Sequence, residues 1–342
     1  MSADTASGWP FWTEPLDRGE GIRWKKVGKV FDPTTVNLPV GCLEFAQSPH
    51  ALKFEDFVRV FFSTRSADSD GGKYRSHIAF VDMDKSFQSV IRVSSNEVIP
   101  LGALGTFDEH GIFPMSLLRH GDAIYGYTTG WSRRVSVSVE TAIGLAVSHD
   151  DGVSFQRAGP GPILAASLHE PFLVGDGFVL LIGDTFHMWY IFGVGWRRYE
   201  PEVPADRIYK IGHAVSANGI AWVKDEARQI VPDLLGPEES QALPTVIEIQ
   251  GRYHMFFCYR QSFDFRANVD RGYRIGHAYS DDLRVWSRED DASLQGTPGD
   301  WDSDMQCYPH VFECDGRVFL LYNGNEFGRF GFGLAVLETV MP

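Results

Sequence analysis

One pattern of apolar and polar positions repeats five times along the chain. An apolar run follows a proline, at Pro49-His50-Ala51-Leu52, Pro114-Met115-Ser116-Leu117, Pro171-Phe172-Leu173-Val174, Pro244-Thr245-Val246-Ile247 and Pro309-His310-Val311-Phe312. A Gly or charged turn comes next, then a second run dense in aromatic residues. These second runs are Val58 to Phe62, Ala123 to Tyr127, His187 to Ile191, Tyr253 to Phe257 and Val318 to Tyr322. Aromatic and β-branched density between polar turns is the signature of strands in hairpins. Third runs share a flavour of their own: Ile78 to Val81, Ile143 to Val147, Ile211 to Val215, Ile275 to Tyr279 and Phe332 to Val336. Four of these carry Gly as the second residue, which implies close backbone packing inside a sheet. Helical periodicity is nearly absent.

Such a repeat predicts an all-β fold: five four-stranded antiparallel sheets arranged as a five-bladed β-propeller. Fourth strands are weak in the sequence, as outer edges should be. The last unit has no fourth strand of its own before Pro342, so Ile22 to Val30 is expected to supply it and close the ring. No linker divides the chain, and residues 1–342 are read as a single domain.

Composition narrows the partners. The formal net charge is −14. A nucleic acid polymer or an anionic membrane needs a basic face, so neither is expected. No apolar stretch is long enough to span a bilayer. The first residues, Met1 to Ser7, lack a basic and apolar leader pattern, which points to a cytoplasmic protein. Cys42, Cys258, Cys307 and Cys314 form no C-x-x-C pair and read as small buried hydrophobes, with Cys307 next to a strand start. His110, His169 and His310 show no distinctive ligand spacing, so neither a metal nor a cofactor is expected.

First strands of propeller blades line the central axis. Antiparallel pairing brings the end of the second strand back beside the start of the first. Residues before each proline and after each second strand should therefore share one rim. Before the prolines stand Glu44 and Gln47; Asp108, Glu109 and His110; His169 and Glu170; Glu239 and Gln241; and Asp304 and Gln306. After the second strands stand Arg65, Trp131, Trp196, Arg260, and Asn323 with Asn325. Carboxylates and amides hydrogen-bond hydroxyls, and indoles stack on the apolar face of a sugar ring. The expected ligand is a small saccharide or nucleotide sugar. The plainer alternative for each acid is a turn cap, an ion pair or a bond between sheets.

The five-unit pattern and the Glu170-Pro171 step resemble the five-bladed glycoside hydrolases of families 43, 32 and 130. The turn from Ser148 to Phe155 resembles the Asp-box of sialidase-like propellers. Ser216 to Trp222 and Ser280 to Trp286 match it more loosely. Gly105 to Gly111 and Trp301 to Met305 are similar to glycosidase-like proteins of bacterial polysaccharide biosynthesis clusters. The resemblance implies cleavage of a glycosidic bond by carboxylate acid and base. It assigns the general acid to Glu170 and an orienting role to Asp108. Where these families place a first-blade Asp, this chain has Ser48, and Glu44 is the nearest substitute. That departure keeps other readings open: phosphorolysis or nucleotide-sugar rearrangement with Arg65 and Arg260 on phosphate, or a non-catalytic saccharide-binding propeller.

Overall fold

The computed structural model describes residues 22–68 and 73–339. The described chain is all-β. β1 (Ile22–Phe31) comes first in sequence. The first unit then contains β2 (Glu44–Lys53), β3 (Val58–Ala67), β4 (Tyr74–Met83) and β5 (Val90–Val93). The second contains β6 (Gly111–His120), β7 (Ala123–Arg133), β8 (Val139–Ser148) and β9 (Gln156–Arg157). The third contains β10 (Val174–Ile182), β11 (Thr185–Arg197), β12 (Asp206–Ser216) and β13 (Val223–Lys224). The fourth contains β14 (Glu239–Ile249), β15 (Arg252–Gln261), β16 (Arg274–Ser280) and β17 (Ser287–Arg288). The last contains β18 (Cys307–Cys314), β19 (Arg317–Asn323) and β20 (Phe332–Thr339), and β1 pairs antiparallel with β20 as its fourth strand.

Within each unit the strands pair antiparallel in sequence order. The first two units are joined by a single parallel pair, Ser76 with Gly111. First strands touch one another in succession, β2 with β6, β6 with β10, β10 with β14 and β14 with β18, and β18 also touches β2. Second and third strands fall where their aromatic and Gly-containing runs placed them. No helix among the described residues is long and apolar enough to cross a membrane.

The first strands depart from the expected pattern. Pro49, Pro114, Pro244 and Pro309 lie inside their strands, not at the starts. Each sits where the hairpin register shifts, between Gln47 and His50, Ile112 and Met115, Ala242 and Thr245, and Cys307 and His310. Proline has no N–H to give a ladder, so a bulge accommodates it. In the third unit the same shift falls between Gly175 and Phe178. Its proline equivalent is therefore Gly177, and Glu170-Pro171 precedes the strand altogether.

Packing between units uses the turns that follow the third strands. All three make one hydrogen-bond pattern: the hydroxyls of Ser148, Ser216 and Ser280 engage the side chains of Asp150, Asn218 and Asp282. Those Asx side chains in turn accept from backbone N–H groups further along each turn. The two looser sequence matches are thus the same device. Each turn ends in a ring that packs on the second strand of the preceding unit: Phe155 on Phe61, Trp222 on Tyr127 and Trp286 on Trp189. Glycine in the third strand makes room for another ring; a Cβ at Gly144 would stand 2.6 Å from Phe107 Cζ.

Three of the outer strands, β9, β13 and β17, have only two residues and make few ladder bonds, while β1 is longer. A buried ion pair pins each of them. The carboxylate comes from the chain entering the first strand, and the cation comes from the outermost strand of the same unit. Arg157 on β9 donates to Asp108 (2.8 Å), Lys224 on β13 to Glu170 (2.7 Å), Arg288 on β17 to Glu239 (2.6 Å) and Lys26 on β1 to Asp302 (2.6 Å). All four carboxylates are at most 1% exposed. Their remaining lone pairs are also used: Glu170 accepts from Tyr190 Oη (2.8 Å) and the Ala227 N–H (3.0 Å), and Asp302 accepts from Tyr322 Oη (2.8 Å). In the first unit Asp82 takes this part, gripped by Arg59 of β3 and Arg92 of β5 at 2.6 Å each.

Breaking a buried pair from one side strands the other charge and costs about 3–5 kcal/mol. Glu170→Gln should therefore lower the unfolding free energy by about that amount in urea titrations followed by tryptophan fluorescence. Adding Lys224→Met should recover most of the loss. A single variant as stable as the parent would show that this pair does not hold the fold.

Candidate active site

The register shifts position the site. They force unusual backbone at the residue before the proline or its equivalent. Ser48, Asp176, Leu243 and Tyr308 adopt φ of 51°, 53°, 48° and 56°. Left-handed backbone at non-glycine residues costs about 1–3 kcal/mol each and is concentrated at functional sites. Asp176, Leu243, Tyr308 and Phe113, the corresponding residue of the second unit, all line one pocket of about 830 Å³. Beneath it the residues after the bulges converge. The rings of His50 and His310 lie 3.8 Å apart, and Phe178 packs against both. Burial lowers the His50 imidazole to about 3, so it is neutral, and its Nε2 accepts from the Leu117 N–H at 3.2 Å. Among the described residues no group of three or more metal-binding side chains gathers here or elsewhere.

The rim expected from strand pairing is present: Glu44 faces Arg65, Gly111 faces Trp131 and Cys307 faces Asn323. The side chains then divide. Arg65, Trp131 and Arg260 line the pocket. Glu170, Asp108 and Glu239 do not, because their carboxylates face the outer strands and are held there by Lys224, Arg157 and Arg288. Glu44 is turned to Arg329 Nε at 2.7 Å. Glu109 accepts from the Gly105 N–H at 2.7 Å, while His110 stacks beside Trp131 with centroids 5.9 Å apart. Gln241 donates to Glu239 at 2.9 Å. Asn323 is fully buried and ties the first unit to the last: it accepts from the Ser48 N–H (2.8 Å) and donates to Ala46 O (2.8 Å) and Gly331 O (2.7 Å). Asn325 accepts from the backbone of Asp304, whose own side chain is exposed, as is that of His169. Trp196 packs against the apolar cluster shared by the third and fourth units.

The residue that strand spacing alone did not bring forward is Asp176. A signal for it exists. His50 faces Phe61, Phe178 faces Trp189, Thr245 faces Phe256 and His310 faces Leu321, so four hairpins have equal length. Counting back from Trp189 places Asp176 level with Ser48 and Tyr308. Its carboxyl is 8% exposed and receives only a long bond, 3.3 Å, from the Leu243 N–H. Burial raises it to about 7, with that N–H and Arg207 pulling weakly the other way. Near neutral pH it is therefore about half protonated, where an ordinary aspartate is fully ionised.

Around this acid the pocket is basic and aromatic. Arg260, 1% exposed, donates to Tyr209 Oη (3.1 Å) and Gln261 O (2.8 Å), and its guanidinium lies 3.6 Å from the centre of the Phe265 ring. Its Nε has no acceptor. Tyr209 and Tyr273 join hydroxyls at 2.5 Å beside it. Among the described residues no carboxylate pairs with Arg65, Arg207 or Arg260. The arrangement can bind an anionic or polyhydroxylated molecule, stack a ring, and donate one proton.

Known proteins bear on this geometry. No family model matches the chain. Solved structures with a similar fold include a complex of BT0996 with RGII, with a TM-score of 0.70, 16% identity, and coverage of 94% of this protein and 93% of that one. The catalytic domain of the Coprinopsis cinerea GH62 α-L-arabinofuranosidase has a TM-score of 0.62 at 11% identity, covering 94% and 98%. A thermostable family-43 glycoside hydrolase has a TM-score of 0.57 at 15% identity, covering 88% and 90%. The fold is therefore that of propeller glycoside hydrolase-like proteins. In sequence the chain is 34% identical over 326 residues to the uncharacterised proteins MT1551 and Rv1502 of two Mycobacterium tuberculosis strains, covering 93% of this chain and 100% of each relative. By that identity over nearly the whole of both chains, the protein belongs to the family of Rv1502.

Proposed function

We propose that this protein is a glycoside-processing enzyme built as a single, closed five-bladed β-propeller, and that the pocket at Asp176 is its active site. The contact of β18 with β2 and the completion of the last sheet by β1 support closure. The buried Asp176, raised to about 7 by its burial, carries the functional reading. Glycosidic cleavage needs a proton on the departing oxygen. Asp176 gives its proton to that oxygen as the bond to the anomeric carbon breaks. Water adds to the anomeric carbon and releases the proton that restores the acid. Phe113 and Tyr308 bring aromatic rings to the pocket wall, where a sugar can stack. The saccharide in the name of the RGII neighbour supports the same ligand class here. In this reading Glu170 and Asp108 belong to the scaffold, and Glu44 is held by Arg329.

Asp176→Asn should reduce turnover of a responsive aryl glycoside by about a hundredfold or more while leaving its binding intact. Wild-type kcat/KM should fall as pH rises through about 7, because the acid form is the active one. Unaltered turnover in the variant would end the assignment.

Stability should follow the same proton. The folded acid titrates near 7 and the unfolded one near the ordinary aspartate value, so the folded state binds the extra proton between them. The contribution is whole below about pH 4 and is lost as pH rises to about 7, on the order of 4 kcal/mol at most. Denaturant titrations across this window should show that decline in the parent and not in Asp176→Asn.

A further inference from the structure

The whole chain is acidic, with a net charge of −14, yet the pocket is dominated by cations. Arg65 comes from the first unit, Arg207 from the third and Arg260 from the fourth. They are far apart in sequence, and the fold alone brings them to one cavity. None has a carboxylate partner among the described residues. The arginines that grip the buried scaffold carboxylates, Arg157, Arg288 and Arg59, all have one. For Arg260 the lack is most telling, because its guanidinium is almost fully buried and its Nε is unused. Burying a charge without a counter-charge costs several kcal/mol. The Phe265 face returns only a part of that.

We infer that the saccharide taken by this pocket carries a phosphoryl or diphosphoryl group, seated on Arg65, Arg207 and Arg260. The inference rests on the reading of the pocket as a sugar site. A single carboxylate, as on a uronic acid, would offset one of three uncompensated charges. A phosphoryl group carries about two negative charges near neutral pH and three strong acceptor oxygens, which match planar guanidinium donors. Asp176 fits this ligand in its protonated form, which does not repel an incoming anion. Cations in a concave site on an acidic protein also focus the field that draws such a ligand in.

Calorimetry on the full chain at fixed ionic strength tests this with four probes: glucose 1-phosphate, inorganic pyrophosphate, inorganic phosphate and galacturonate. The phosphoryl probes should bind at least about tenfold more tightly than galacturonate, and Arg65→Gln and Arg207→Gln should each weaken them by about tenfold. Neither side chain is fully buried, so both variants should fold, which circular dichroism checks. Preference for glucose 1-phosphate over the inorganic ions assigns the group to the sugar, as inferred. Preference for inorganic phosphate assigns it to a separate co-substrate and overturns that part. Equal binding of galacturonate, no binding of any phosphoryl probe, or indifference to both substitutions overturns the inference entirely. Asp176→Asn separates the two readings. Loss of glycoside turnover in that variant, with no phosphoryl binding by the parent, leaves the enzyme reading standing and removes only the phosphoryl group.

Discussion

The buried carboxylate–cation pair that ties the outer strand of each unit, made from the entry segment in four units and from Asp82 of the third strand in the first, is the interaction on which this structure depends. Two-residue outer strands make too few ladder bonds to stay in register. The pairs between Asp108 and Arg157, Glu170 and Lys224, Glu239 and Arg288, and Asp302 and Lys26 anchor them. Such pairs repay their desolvation only when every lone pair is used. Tyr190 and Tyr322 meet that condition for two of them from equivalent places on second strands. The entry segment is thereby fixed, and the first strand that follows begins in a defined position.

That position matters because the first strand carries the bulge. A proline, or Gly177 in its stead, interrupts the ladder, and in every unit but the second the preceding residue is left-handed. Four units use this bulge to present Phe113, Asp176, Leu243 and Tyr308 to one pocket. Only one of these residues, Asp176, is ionisable in the physiological range, because burial raises it to about 7. The fifth, Ser48, uses its backbone N–H to join the first and last units through Asn323. The same local device therefore lines the pocket in four units and joins units in another.

The distribution of charge separates scaffold from site. In the scaffold, buried acids and bases are matched pair by pair. In the pocket, guanidinium groups outnumber carboxylates, and burial raises the one buried carboxyl to about 7. Matched charge holds strands, while the guanidinium groups of Arg65, Arg207 and Arg260 stand in the cavity without an ion-paired carboxylate among the described residues.

Periodicity in the sequence determined the all-β class, the order of strands within units, and the return of Ile22–Phe31 to complete the last sheet. Those features depend on local alternation, aromatic density and Gly placement, which a sequence displays directly. Arg65, Trp131 and Arg260 were also legible, since antiparallel pairing dictates which strand ends share a rim. The roles of the carboxylates were not. Glu170 before Pro171 looks like an acid at a strand start, but whether it meets a sugar or Lys224 depends on a partner 54 residues away. Asp176 looks like an ordinary turn residue between two glycines. Only hairpin register, set by pairing with β11, shows that it stands at the bulge facing the cavity. Tertiary structure decided these assignments because burial and charge pairing are properties of neighbours in space.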